Sequence, residues 1–323
     1  MSWKDEFLKL YLTKDAENIK KALKLKQENL PQKFYRYRTA TDTKYLESEF
    51  CGNIFLPYIG TLNDPFDTCS VLNSNRLGDN FAPRVFREDL EDQLGYKLPD
   101  ELFLGANWYE KTTEFFLSKQ LLNIEEYQEM KKILKDEAEG VMKRTNSSFN
   151  EKAWALLRVA CFSEKLNNLP MWNHYANAHK GICFEYDIKN IMGNTNLTDR
   201  IFPVYYVDCL PTAAQFLEKH RKDAFVGMFE YFAIHKLEDW SYEKEWRLVI
   251  NLMHENHRLE EVFGPLNGQG INYEFVRPSK VYIGAKAPEA LRKIVRNLSH
   301  RYDVNILQMQ YTEYGLQAIP ITE

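Results

Sequence analysis

Apolar residues recur every three or four positions at the start of the chain: Phe7, Leu8, Tyr11 and Leu12, then Ile19 and Leu23, with Pro31 closing the segment. That period predicts one or two opening helices over residues 5–28. FYRYR then changes to alternation by two, placing Tyr35 and Tyr37 on one face of a short strand and Arg36 and Arg38 on the other. Thr41 or Asp42 is suited to cap a helix running through Phe50, because a short oxygen-bearing side chain accepts from a free N–H of the first turn. Asn53 to Pro57 reads as a second strand.

From Asp79 to Phe149 the pattern is helical, clearest from Ile124 to Arg144, where Tyr127, Met130, Leu134, Ala138 and Val141 form one stripe. Strand signals return at Ala155 to Phe162, Gly181 to Tyr186 and Phe202 to Val207. A long helix is expected from about Ala213 to Leu237, and a strand from Trp246 to Leu252. KVYIG (Lys280 to Gly284), a helix from Pro288 to about Ser299 and VNILQMQ together predict a right-handed parallel strand–helix–strand unit. The fold expected is α+β: a single domain over 1–323 with a mixed sheet core and a mainly helical insertion at about 79–155, the alternative being a separate small helical domain there.

Composition narrows the classes. A chain of 323 residues that is 44% hydrophobic can bury a sizeable core, and its 14% aromatic content supplies flat surfaces as well as core mass. With 42 basic against 46 acidic residues the net charge is -4, so no overall attraction for nucleic acid is indicated. The basic groups Lys131, Lys132 and Lys135, and Lys293, Arg296 and Arg301, read as solvated helix faces. Five cysteines without a CxxC pair read as reduced thiols and not as a zinc site. The charged N-terminus lacks a signal-peptide core, and no stretch approaches the roughly 18 uncharged apolar residues of a membrane span, so a cytoplasmic protein without membrane contact is expected.

Four segments could carry chemistry: Tyr35 to Arg38, Asn63 to Asp67, Met171 to Gly181 and Glu243 to Arg247. TLNDPFDT is a turn by its residues, and it could present Asn63, Asp64 or Asp67 to a ligand. If Pro170 opens a short helix, Met171, His174, Tyr175 and Ala178 share a face. On such a helix His174 and His179 would stand about 140° apart, which poorly suits a shared ion, and no metal is expected. In WSYEKEWRLVI, alternation puts Trp246, Leu248 and Ile250 on one face and Glu245 and Arg247 on the other, joined by Glu243 if the strand starts early. Such a pair is either an ordinary half-exposed ion pair or a carboxylate facing a cleft with Arg247 as its orienting partner. The phosphate loops GxxxxGK[ST] and GxGxxG, and the HExxH and GxSxG signatures, are absent.

In this order, FYRYR, LNDPFD, CFSE, MWNHYANAHKGICFEYD, YEKEWRL and KVYIG resemble a bacterial family known as domain of unknown function 2971, over about Tyr35 to Leu307. A fainter resemblance is to ADP-ribosyltransferases, whose split sheet binds NAD with a basic residue on an early strand, a mid-chain Ser or Tyr, and a late Glu. Arg36 or Arg38, Tyr175 and Glu245 follow that order, and Glu243-Lys244-Glu245 resembles the paired-glutamate turn in which the second Glu is catalytic. The Ser-Thr-Ser strand of the arginine-modifying group is missing. The resemblance implies NAD as substrate, with Glu245, Tyr175 and Glu243 catalytic and Arg36 or Arg38 meeting phosphate or ribose; the segment patterns add Asn63, Asp64, His174 and Arg247 as ligand-binding candidates, and the macromolecular target is left open. The rival readings are a non-enzymatic nucleotide or nucleic-acid binding protein, and a metal-dependent hydrolase using Asp64, Asp67, His174 and Glu245.

Overall fold

The computed structural model describes residues 2–13, 15–64, 86–87, 90–92, 94–103, 107–136, 155–193, 195–211, 228–255, 261, 266 and 268–321. The chain divides into two compact units, one of Met1–Thr68, Trp154–Cys209 and Phe229–Glu323, the other of Cys69–Ala153 and Leu210–Met228. The interval expected as a helical insertion falls almost entirely within the second unit.

The first unit opens with two helices, α1 (Trp3–Tyr11) and α2 (Ala16–Glu28). Ser2 and Asp5 cap α1 reciprocally, and Asp15 caps α2. They are followed by β1 (Lys33–Arg38), α3 (Thr43–Phe50, capped by Asp42) and β2 (Asn53–Leu56). Next come β3 (Leu157–Ser163), α4 (Leu169–Tyr175), β4 (Ile182–Asp187), α5 (Ile188–Met192) and α6 (Thr195–Arg200). Then β5 (Ile201–Pro203), β6 (Tyr205–Val207), α7 (Met228–Ala233), β7 (His235–Leu237) and β8 (Glu245–Asn251). The chain ends with β9 (Ile271–Glu274), β10 (Lys280–Ile283), α8 (Glu289–Tyr302), β11 (Asn305–Thr312) and β12 (Gly315–Pro320).

Eight strands form one mixed sheet in the order β12-β11-β10-β4-β1-β3-β8-β5. The β10–α8–β11 unit is parallel, as its spacing predicts, and the other neighbours are antiparallel. One sheet face carries Phe34, Phe162, Phe184, Trp246, Leu248 and Val281, packed with Phe50 of α3 and Val295 of α8. The opposite face carries two apolar clusters, one around Tyr37, Trp172, Cys183 and Met309, the other joining Val159 and Val249 to Phe7 and Ala22 of the opening helices. Sheet alternation therefore sends Glu245 and Arg247 to the face away from Trp246. Mixed sheet and helices make the fold α+β.

Three expectations change. The helix expected over 213–237 ends at Ala233, and His235–Leu237 is a strand paired in parallel with β6; residues 212–227 lie outside the described set. The strand expected over Phe202 to Val207 is two short strands, broken at Val204, after which the chain leaves β8 to pair with His235–Leu237. The Glu245–Arg247 pair is buried, not half-exposed.

Within the second unit, Trp108–Ser118 is a helix and 124–136 is helical, while Ala138 and Val141 of the expected stripe lie outside the described residues. Trp108, Phe116 and Leu134 pack with Leu98 and Phe103. No strand occurs among its described residues, and no described helix is long and apolar enough to cross a membrane.

Candidate functional site

Beside β1 the sheet opens. β1 pairs with β4 at every residue, but with β3 only at Tyr35↔Ser163, and toward Thr39 on one side and Val159 on the other the two strands no longer pair. A cavity of about 330 Å³ occupies this opening, a volume within the range of small-molecule sites. One wall is Tyr35 to Thr39; the other includes Val159, Cys161 and Ser163 of β3. Pro57 and the turn through Asn63 close one side, His174 and Tyr175 of α4 another, and Lys236, Glu243 and Glu245 form the charged floor.

The floor is built by a short turn. Glu238–Glu243 is a 3-10 helix, and Lys244 follows it in the left-handed region at φ 47°. That conformation costs a non-glycine residue about 1 kcal/mol. Its effect is to bring Glu243 to the same buried side as Glu245 while Lys244 stays exposed. Ser163 Oγ donates to Glu243 O at 2.6 Å, and Tyr206 Oη accepts from Glu245 N at 2.7 Å, which anchors the turn from both sides.

The two carboxylates have different partners. Arg247 Nε donates to Glu245 Oε1 at 2.8 Å and its terminal nitrogen to Oε2 at 3.1 Å, a two-point clamp of one guanidinium on one carboxylate. Lys236 Nζ donates to Glu245 Oε2 at 3.2 Å and to Glu243 Oε2 at 2.6 Å. Glu243 Oε1 accepts from the Tyr175 hydroxyl at 2.6 Å, and Asn63 Nδ2 donates to that hydroxyl at 3.3 Å. Burial, followed by the neighbouring Glu245 charge, pushes the Glu243 carboxyl up to about 7. Glu245 is equally buried, yet Arg247 and Lys236 outweigh its desolvation and hold it well below the usual carboxylate range. Burial and then the Glu243 charge raise the Tyr175 phenol, so it stays a hydrogen-bond donor.

Cys161 also lines the cavity, with the Glu245 carboxylate beside its thiol. Burial and that carboxylate push the thiol well up, so it is not held as a nucleophilic thiolate.

Seven of the nine residues expected at a site line this one cavity: Arg36, Arg38, Asn63, His174, Tyr175, Glu243 and Glu245. Asp64 is buried outside the lining, and Arg247 lies behind Glu245 with no exposed surface. Arg36 is largely committed to structure, donating to Glu49 Oε1 at 3.3 Å and Phe55 O at 2.8 Å. Arg38 shares Glu49 at 3.2 Å but keeps about a quarter of its side chain exposed. The helix of Tyr175 stops at that residue, so Ala178 is not on its face, and His174 is exposed instead of pointing inward with the buried positions.

His179, expected on the same helix, follows it in a left-handed turn, with φ of 49°, 52° and 67° at Asn177, Ala178 and His179. Among the described residues, no group of three metal-capable side chains converges, and Asp67 lies outside them. Glu245 would have to leave two cations to ligate a third.

Lys236 is the residue that pattern reading missed. It was hidden inside the helix expected to run to Leu237, and the one cue was a lone cation in the apolar run FAIHKL.

A family model described as "Protein of unknown function (DUF2971)" matches residues 171–248, which supports that family resemblance over a span holding Tyr175, Lys236, Glu243 and Glu245. No curated protein and no solved structure matches the chain.

Proposed function

We propose that the opening between β1 and β3 binds an NAD-like dinucleotide and that the protein transfers ADP-ribose from it to an acceptor. The observation that carries this reading is the pair of unlike carboxylates on the floor of a gap in the sheet. A pair of acids whose surroundings drive their protonation apart is the arrangement of a site that needs one fixed charge and one proton carrier. Glu245 is the fixed charge: clamped and ionised, it stabilises positive character on the ribose as the bond to nicotinamide breaks. The electron pair of that bond leaves with nicotinamide, the acceptor bonds to the ribose carbon, and the acceptor's proton passes to Glu243. A carboxyl poised near 7 suits that transfer.

Tyr175 borders the position of the planar leaving group, and Arg38 offers a partly exposed guanidinium for phosphate or ribose oxygens. Incubation with NAD tests the reading: release of nicotinamide is expected, lost in Glu245→Gln. Saturable NAD binding without any turnover would overturn transfer in favour of a non-enzymatic binding protein.

A further inference from the structure

Two ionised carboxylates two residues apart in a buried floor repel strongly, because little water screens them. Something must hold them together. The side chain placed to do so is Lys236, whose Nζ donates to one oxygen of each, at 2.6 Å to Glu243 and 3.2 Å to Glu245. It comes from β7, not from the strand that bears the carboxylates, and its side chain is 3% exposed. The Trp240 ring lies 4.7 Å from its ammonium, on the same turn as Glu243.

We infer that Lys236 is a positioning residue of the site: by bridging the two glutamates it fixes the gap between them and leaves Glu243 Oε1 directed at Tyr175. The use made of the carboxylates rests on the transferase reading; the bridge does not. The charged and titratable groups facing it are Glu243 and Tyr242 from the turn, Glu245 and Arg247 from β8, Cys161 from β3, Tyr175 from α4 and Tyr206 from β6. Among them Arg247 is committed to Glu245 and to Ala233 O. Lys236 is therefore the cation that bears directly on Glu243, and it opposes the upward push of burial and of the Glu245 charge on that carboxyl.

The test uses the full chain carrying Lys236→Met and Lys236→Arg, each checked by thermal melting. Carboxyl-carbon NMR follows the titration of Glu243, its signal identified by its loss in Glu243→Gln. In Lys236→Met the titration is expected to move up by a unit or more, while Lys236→Arg returns it toward the wild-type position. Under the transferase reading, kcat of Lys236→Met near pH 7 falls at least tenfold with KM little changed, and the deficit shrinks as pH rises.

Should Lys236→Met not fold, Lys236→Gln keeps an N–H donor without the charge and is expected to show the same upward move. A Glu243 titration unmoved in a folded charge-removing variant overturns the role of Lys236, whatever the activity. A wild-type protein that never consumes NAD ends the transferase reading, while the titration still decides the bridge.

Discussion

The two edges of β1 meet neighbours that treat it differently. Toward β4 every residue from Lys33 to Arg38 is registered, and the buried carboxylate of that strand, Glu185, is tied to Lys33 at 2.9 Å, to Ser279 and to Tyr282. Toward β3 the ladder stops after one pair, and the gap collects two carboxylates, an ammonium, a phenol and a thiol. Both flanks bury charge, but the closed one gives one acid several donors, whereas the open one makes two acids share a cation. Complete pairing consumes polar groups in structure; an interrupted ladder leaves them facing a space where a ligand fits.

The contrast breaks most sharply at Glu245. Glu245→Gln is expected to cut turnover about a hundredfold or more, as loss of a preorganised charge does. It also removes the anion from a buried Arg247 and from one contact of Lys236, so a stability loss of about 3–5 kcal/mol should accompany it in a denaturant melt. The stability cost follows from burial between two cations, which no alternation pattern in the strand reveals.

On the closed flank the sensitive point is Gly181, where an added Cβ would lie 2.1 Å from Arg38 O. Gly181→Ala should cost about 1–3 kcal/mol through overpacking, read as a lower melting temperature. The β3 wall of the open flank should tolerate an added methyl group at Cys161 better, because that side chain borders the cavity.

Glu243→Gln sharpens the comparison through pH. The folded carboxyl is raised from 4.5 to about 7, so its contribution to stability is full below about 4.5 and is lost as pH rises through about 7. Glu245 runs the other way: its depressed value contributes stability above 4.5 that is lost on acidification. Glu243→Gln is therefore expected to flatten the fall in stability between about pH 4.5 and 7 and, under the transferase reading, to remove the rise of rate with pH that the Glu243 titration would give in that window, in melts and rate profiles taken across it. Persistence of that rise would assign it to another group.

The smallest effect is expected at Tyr175. Tyr175→Phe removes the bond donated to Glu243 and the acceptor of the longer Asn63 bond, a loss of about 1 kcal/mol read as a small fall in melting temperature.

Much of this was legible in the sequence because the relevant patterns are local. Alternation in FYRYR and in EWRLVI assigned faces correctly, since a strand's period does not depend on its neighbours. Asp42 and Pro170 marked helix starts for reasons confined to one turn. What escaped depends on distant segments. Lys236 was absorbed into a helix because its neighbours Phe232, Ala233 and Ile234 are a short continuous apolar run that does not tell helix from strand, and only parallel pairing with β6 makes it a strand. The end of α4 at Tyr175 was unmarked by glycine or proline; three residues in left-handed conformation make the turn, held by bonds such as His179 N to Trp172 O at 3.0 Å. The opposed shifts of the Glu243 and Glu245 carboxyls could not be read from EKE, since they depend on burial and on the placing of Arg247 and Lys236.

The cavity wall is drawn from segments far apart in the chain: 35–39, 57–63, 159–163, 171–175 and 236–245. Contacts of such long sequence separation form late, because each closes a large loop before it gains any stabilisation. No excised fragment holds the cleft, and a bound nucleotide would see only the completely folded first unit. Ligand saturation then acts as a brake on unfolding, raising stability by about 2.7 kcal/mol at a hundredfold excess over Kd. A shift in melting temperature with added nucleotide thus reports occupancy and the closing of these long loops in a single reading.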